Sequence, residues 1–287
     1  MKKSARLRQL INQPEVLVAP GAYDGITARL VEQAGFSTVY MTGAGTSMAH
    51  GFPDFGLLSM SEMVDNAAMM ARTVEIPVIS DADTGYGNEL NVTRTVREFE
   101  ARGVAGIHIE DQVAPKRCGH LDGKQIIPQA EFISKIKAAV AARRDADFLI
   151  IARTDSRAVA GFDEAIARAN AALAAGAGMA FVEAVQTAEE LALVPRLVHG
   201  PCLLNIVPGG KTPRITLQEA HALGYRLAIM PGLLLSAVMV AADQALRTVK
   251  ESGVSPSTPK GATVMDTFRR FGADEWNALR QRFATED

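Results

Sequence analysis

Apolar residues along the chain fall into short β-rich runs separated by longer stretches of helical period. The runs are VLVAP (16–20), STVYM (37–41), PVISDAD (77–83), GIHIE (106–110), FLIIART (148–154), MAFVEA (179–184), CLLNIV (202–207) and RLAIMP (226–231). Between them, 61–72, 92–102, 129–143 and 163–175 place apolar residues at helical spacing. Asp163 and Thr187 stand where helix N-caps belong, and Gly103, Gly176 and Gly224 where helices stop. Eight strands alternating with helices imply a parallel sheet, and their close spacing favours a closed (β/α)8 barrel over a doubly wound sheet. No polar linker divides the chain before residue 250, so the expected organisation is a barrel over 1–250 and a helical extension over 251–287. ESGVSPSTPKG (251–261) reads as the connection. Beyond it, one amphipathic segment over 264–283 carries Met265, Phe268, Phe271, Trp276, Leu279 and Phe283. A tail this apolar needs a surface to cover, either the barrel's own base or a neighbouring subunit.

Composition narrows the class. Of 287 residues, 30 are Lys or Arg and 32 Asp or Glu, a formal charge of −2 with no basic tract, so nucleic acid is not an expected partner. A hydrophobic content of 48% is enough to fill a large core. Two cysteines, Cys118 and Cys202, exclude a disulfide scaffold and suit a reducing cytoplasm. The apolar stretch 230–242 is short and contains Pro231 and Gly232, and the first residues lack the apolar core of a signal peptide. A membrane role is therefore not expected.

Candidate chemistry follows from the barrel. Its active site belongs at the C-terminal ends of the strands. Strand two ends in Tyr40 and then TGAGTS, strand three in Asp81 and Asp83, and strand four in Glu110 and Asp111. Strands five, six and seven end in Arg153 with Asp155, in Glu183 and in Asn205. Singly, each residue is as well explained by a cap or a solvated loop; six successive strand ends together define a site. Asp81 and Asp83, two apart, are expected to share one strand face, as are His108 and Glu110. Converging carboxylates need a cation, and an oxygen donor set suits Mg2+ or Mn2+ held partly through water. Cys118 and His120 are too close in sequence for a usual zinc pair. Arg153 would pair with the carboxylates or clamp an anionic substrate. In PKRCGHLDGKQ (115–125), Lys116, Arg117 and His120 surround Cys118 and are expected to lower its thiol pKa. Gly119 and Gly123 would let this loop act as a lid.

These motifs carry a resemblance. KRCGH (116–120), DADTGYGN (81–88), IHIEDQ (107–112) and IARTD (151–155) resemble the isocitrate lyase / phosphoenolpyruvate mutase superfamily, and PGAYDG (20–25), YMTGAGTS (40–47), FPDFG (52–56) and NIVPGGKTP (205–213) extend the likeness over 10–250. The resemblance implies a (β/α)8 barrel whose last helices are exchanged between subunits, giving a homotetramer of swapped dimers. It implies a Mg2+ site at Asp81, Asp83 and Glu110, reached mainly through water. Tyr40, Thr42, Gly43 and Ala44 match the segment that holds an α-keto acid, and Asp54 matches an active-site carboxylate. Arg153, Glu183 and Asn205 match substrate-binding positions. Cys118 matches the catalytic acid/base, on a gating loop with Lys116, Arg117, Gly119 and His120. The implied activity is C–C cleavage of a 2-hydroxy dicarboxylate such as 2,3-dimethylmalate, with carboxyphosphonoenolpyruvate mutase or oxaloacetate hydrolase chemistry as alternatives. Two departures stand out. MPGLLLSAVM (230–239) lacks the Arg with which methylisocitrate lyases bind an additional carboxylate, and Pro208 replaces a Glu common among relatives. The second departure motivates a non-catalytic alternative, a barrel that binds carboxylates without turnover.

Overall fold

A computed structural model describes residues 1–256 and 261–284. Eight parallel strands close in sequence order into a barrel: β1 (Leu17–Ala22), β2 (Val39–Met41), β3 (Val78–Asp81), β4 (Gly106–Glu110), β5 (Leu149–Thr154), β6 (Met179–Val182), β7 (Cys202–Asn205) and β8 (Leu227–Met230), which pairs back onto β1. The helices are α1 (Lys3–Ile11), α2 (Gly25–Gln33), α3 (Gly43–Ala49), α4 (Met60–Thr73), α5 (Glu89–Ala101) and α6 (Gln129–Ala142), followed by α7 (Phe162–Ala174), α8 (Ala188–Leu197), α9 (Leu217–Leu223), α10 (Leu233–Ser252), α11 (Val264–Arg269) and α12 (Ala273–Arg282). The fold is the (β/α)8 barrel expected from the alternation.

A strand buried on both faces needs apolar residues on both. Inward residues Leu17, Ala19, Tyr40, Ile79, Leu149, Ile151, Met179, Phe181, Leu203, Leu227 and Ile229 form one cluster inside the barrel. Outward residues such as Val39, Val78, Ile107, Ile109 and Ile150 pack with the surrounding helices. Helix ends follow local chemistry. Thr187 caps α8 by accepting the Glu190 N–H at 3.0 Å, and Gly224 ends α9 at φ +101°. Asp163 is not a cap. Gly161 opens α7, and Asp163 falls in the first turn, where its charge favours the helix dipole.

The short helix α1, not foreseen in the sequence, sends Leu7 and Ile11 into the inner cluster and closes the base of the barrel. Lys3 fastens it by donating to the Ala71 carbonyl at 2.7 Å.

The chain divides into two compact units, Met1–Leu235 and Ser236–Asp287. In the second, the expected single segment over 264–283 is two helices, α11 and α12, because Gly272 adopts φ +86° and turns the chain between them. Helices α10, α11 and α12 bury no residue. Residues 257–260 of the expected connection lie outside the described residues. Among the described residues, no helix is long and apolar enough to cross a membrane.

Candidate active site

The strand alternation that fills the barrel also builds its mouth. Two residues beyond inward Ile79 comes Asp81, and the same step leads from Ile151 to Arg153, from Phe181 to Glu183 and from Leu203 to Asn205. On β4 the inward positions are His108 and Glu110, both fully buried. The register sets Asp81 beside His108 and Glu110 beside Arg153. Asp83 arrives differently from expectation. Strand β3 ends at Asp81, and Asp83 sits in a turn at φ +45°, its N–H donating to Asp81 Oδ1 at 2.9 Å. The turn, not a shared strand face, brings the two carboxylates together. Asp111 is structural: it accepts from the Asp155 amide, the Thr154 hydroxyl and Arg168.

Arg153 is the electrostatic centre. Its guanidinium lies 3.1 Å from Glu110, 2.9 Å from Asp155 and 3.4 Å from Glu183, with Phe181 beneath it at 5.2 Å. Burial works against its charge, but Asp155, Glu110 and Glu183 hold it firmly cationic. Burial also pushes Asp83 up to about 6 against the pull of Lys116, and lifts Glu110 well above the carboxylate range despite Arg153. Asp81 is buried too, yet His108, Lys116 and Arg153 outweigh burial and hold it at about 2. Burial lowers His108 to about 4, so its ring is neutral, and its Nε2 meets the Tyr40 hydroxyl at 2.8 Å. Burial opposes Glu183 as well, but Arg153, His120 and Asn205 keep it ionised.

The loop between β4 and α6 closes over this mouth. Lys116 reaches Asp54 at 2.6 Å and Asp83 at 3.0 Å, and the Cys118 N–H donates to the Asp54 carbonyl at 3.2 Å. Gly119 has no room for a side chain: a Cβ there would lie 2.5 Å from Arg153 and Glu183. The expected lowering of the Cys118 pKa does not occur. Arg117 turns outward over Phe55 at 5.5 Å, and Lys116 is engaged by carboxylates. Burial, with Asp54 and Glu183 nearby, raises the thiol, against a partial pull from the His120 N–H and Arg153. A thiol raised in this way stays protonated at neutral pH, which equips it for proton donation better than for attack as a thiolate.

Thr42 caps α3 by accepting the Gly45 N–H. Gly43 and Ala44 open that helix, where the first amides have no intrahelical partner. A Cβ at Gly43 would strike Asp81, so only glycine lets this backbone lie against the carboxylate. Sequence reading missed the residues that hold the loop shut. Buried Gln112 donates to the Arg117 carbonyl at 2.8 Å and accepts its N–H at 3.0 Å, while Lys124 pairs with Asp155 at 2.9 Å and donates to the Gly119 carbonyl. Their only signal was polarity within an otherwise apolar or flexible context.

Among the described residues, no three Asp, Glu, His or Cys side chains are arranged to hold a metal ion directly. The donor chemistry nevertheless suits a hydrated hard cation. Both oxygens of Glu110, and Asp83 Oδ1, are buried without a hydrogen-bond partner, although Arg153 and Lys116 lie near them. Buried carboxylate oxygens left open in this way are what metal-bound waters satisfy.

Fold and site together define a (β/α)8-barrel enzyme of the lyase and mutase type, with a lidded, carboxylate-lined mouth. The chain belongs to the phosphoenolpyruvate phosphomutase family, whose model matches residues 7–250, within the isocitrate lyase / phosphoenolpyruvate mutase superfamily. It is 44% identical over 280 residues to 2,3-dimethylmalate lyase of Eubacterium barkeri, covering 97% of this chain and 94% of that protein. It is 45% identical over 247 residues to 2-methylisocitrate lyase of Aeropyrum pernix, covering 86% and 80%. Among solved structures, oxaloacetate acetylhydrolase with 3,3-difluorooxalacetate superposes with a TM-score of 0.94 at 38% identity, covering 98% of this chain and 96% of that one. Phosphonopyruvate hydrolase with oxalate and Mg2+ superposes with a TM-score of 0.89 at 31% identity, covering 99% of each chain.

Proposed function

We propose that the protein cleaves the C2–C3 bond of a substituted malate, with 2,3-dimethylmalate as the model substrate, yielding an α-keto acid and a carboxylic acid. The observation that carries this reading is the Cys118 thiol on a loop closed over the mouth, its backbone N–H on the Asp54 carbonyl and the neighbouring Gly119 against Arg153 and Glu183. A site that only bound carboxylates would need no thiol there, and the likeness to 2,3-dimethylmalate lyase over nearly both whole chains supports the choice.

Asp81, Asp83 and Glu110 would hold Mg2+, largely through water; when bound, it supplies Lewis-acid stabilisation of negative charge on substrate oxygens. The amides of Gly43 and Ala44, beside Tyr40 and Thr42, receive the 2-hydroxy-acid end. Arg153, presented by Glu110, Asp155 and Glu183, stabilises charge that builds in the transition state, and Asn205 orients Glu183 through bonds of 3.0 and 3.3 Å. The hydroxyl proton passes to water as the C2–C3 bond breaks, and water returns a proton to the Cys118 sulfur after the products leave. The electron pair of the C2–C3 bond passes into the second carboxylate as an aci-carboxylate, and Cys118 delivers its proton to C3. For 2,3-dimethylmalate the products are pyruvate and propionate, which balance the atoms of the substrate. Asp54 and Lys116 hold the closed loop in place for that transfer, while Arg117, His120 and Gly119 shape it.

The absence of a basic residue over 230–239 leaves the extra carboxylate of a tricarboxylate unpaired, so a dicarboxylate is favoured over methylisocitrate. Oxaloacetate hydrolysis is the second reading, favoured by the superposition on oxaloacetate acetylhydrolase. The C-terminal helices, none of whose described residues is fully buried within one chain, are read as the elements exchanged between subunits of a dimer within a homotetramer. The deciding experiment is a Mg2+-dependent assay of 2,3-dimethylmalate, methylisocitrate, oxaloacetate and phosphonopyruvate. Pyruvate release from the first supports the lyase; turnover of oxaloacetate or phosphonopyruvate alone refutes it.

A further inference from the structure

A second loop meets the gating loop over the mouth, and the chemistry above gives it no part. This is the 206–216 segment after β7. The Lys211 backbone N–H lies 3.0 Å from His120 Nδ1. An amide nitrogen can only donate, so Nδ1 is the accepting nitrogen and the ring proton sits on Nε2. Nε2 in turn lies 3.3 Å from Glu183 Oε1, the carboxylate that faces Arg153, and 3.4 Å from the Asn205 amide nitrogen; because that amide donates to Glu183, the Nε2 proton of this tautomer is directed to the same carboxylate. The Lys211 ammonium pairs with Asp122 of the gating loop, making a second tie between the two loops. Gly210 leaves the room that the contact requires, because a Cβ there would lie 2.5 Å from His120 Nδ1. The segment itself encloses a cavity of about 580 Å³ lined by Ile206, Pro208, Thr212 and Ile215, so it is not packed solid against the barrel.

We propose that the 206–216 loop is the second leaf of the lid, and that Gly210 and Lys211 are positioning residues holding His120 as its Nε2–H tautomer against Glu183. The consequence reaches the reacting group, since the His120 backbone N–H faces the Cys118 thiol. A displaced His120 would disturb both the carboxylate beside Arg153 and the proton donor. The role is set by backbone, which is why no side-chain motif in PGGKTP announces it.

The activity arm of the test rests on the lyase reading; the structural arm does not. Histidine labelled with 15N in the full chain, with Mg2+ and oxalate as the probe ligands and His120→Gln to assign the signal, reports the tautomer directly. The expected spectrum shows a bare Nδ1 and a protonated Nε2 for His120. Gly210→Ala should abolish that signature and lower kcat on 2,3-dimethylmalate roughly 10- to 100-fold, with a smaller change in KM. Lys211→Ala keeps the amide, so it should keep the tautomer and lose only a few-fold, as should Asp122→Ala. A protonated Nδ1 in the wild type overturns the proposal, as do unchanged His120 shifts in Gly210→Ala. If Gly210→Ala does not fold, His120→Gln, whose amide nitrogen reaches the Nε2 position, should retain more activity than His120→Asn; the reverse order overturns the proposal. The expected tautomer without turnover of any substituted malate would leave the latch standing and remove the lyase reading.

Discussion

The two ends of the barrel are built from the same strands, a few residues apart. At the base, Leu17, Leu149, Met179 and Leu227 point inward with Leu7 and Ile11 of α1, all of them apolar. At the mouth, two inward steps further along β5 and β6 and at the matching ends of their neighbours, stand Asp81, Glu110, Arg153, Glu183 and Asn205, all buried. Burying charge costs stability unless each group is paired. The base therefore carries the hydrophobic stabilisation that lets the mouth keep strained and incompletely paired groups, among them Asp83 and Ala184 at positive φ and the open oxygens of Glu110.

Substitutions at the two ends should separate stability from chemistry. The largest effect is expected at Arg153→Met, which leaves Glu110, Asp155 and Glu183 without their shared cation. Removing one partner from a buried charged set costs about 3–5 kcal/mol, and activity should vanish with it; calorimetric unfolding and an activity assay check both. Leu7→Ala at the base should cost about 2–5 kcal/mol by opening a cavity, while kcat at low temperature stays near that of the wild type. A large loss of kcat there would break the division. Gln112→Ala should lower kcat/KM up to about 30-fold with a fall of only a few degrees in melting temperature, because it removes two bonds that hold the lid at Arg117, each worth about 1 kcal/mol net. The smallest effect is one of pH. The Cys118 thiol is raised, so it stays protonated through neutrality, and rates should fall only above about 8.5, the ordinary thiol value. A rate already falling between pH 6 and 7 would point to a thiolate.

What was legible in the sequence follows the same division. Strand ends were readable because an abrupt change from apolar to charged, as in IIART or AFVEA, survives without knowledge of the fold. The helix α1 was missed because nine residues with three basic side chains show little more than Leu7, Leu10 and Ile11 as an apolar face. The amphipathic segment over 264–283 showed no internal break because periodicity runs through Gly272, whose left-handed backbone the structure reveals. The Cys118 pKa was misjudged because neighbours in sequence are not neighbours in space: Arg117 faces Phe55 and Lys116 faces Asp54. Gln112, Lys124 and Lys211 act where distant loops meet, and spacing along the chain carries no record of that meeting.

One measurement bears most directly on the mouth as a site of proton delivery to carbon. Pyruvate release from 2,3-dimethylmalate with Mg2+ is compared between the wild type and Cys118→Ser, with oxalate binding followed calorimetrically in both. Turnover should fall by about 10²–10⁴ in the variant while oxalate and Mg2+ bind as before. Undiminished turnover in Cys118→Ser would contradict the assignment of the proton donor and, with it, the mechanism built on this site.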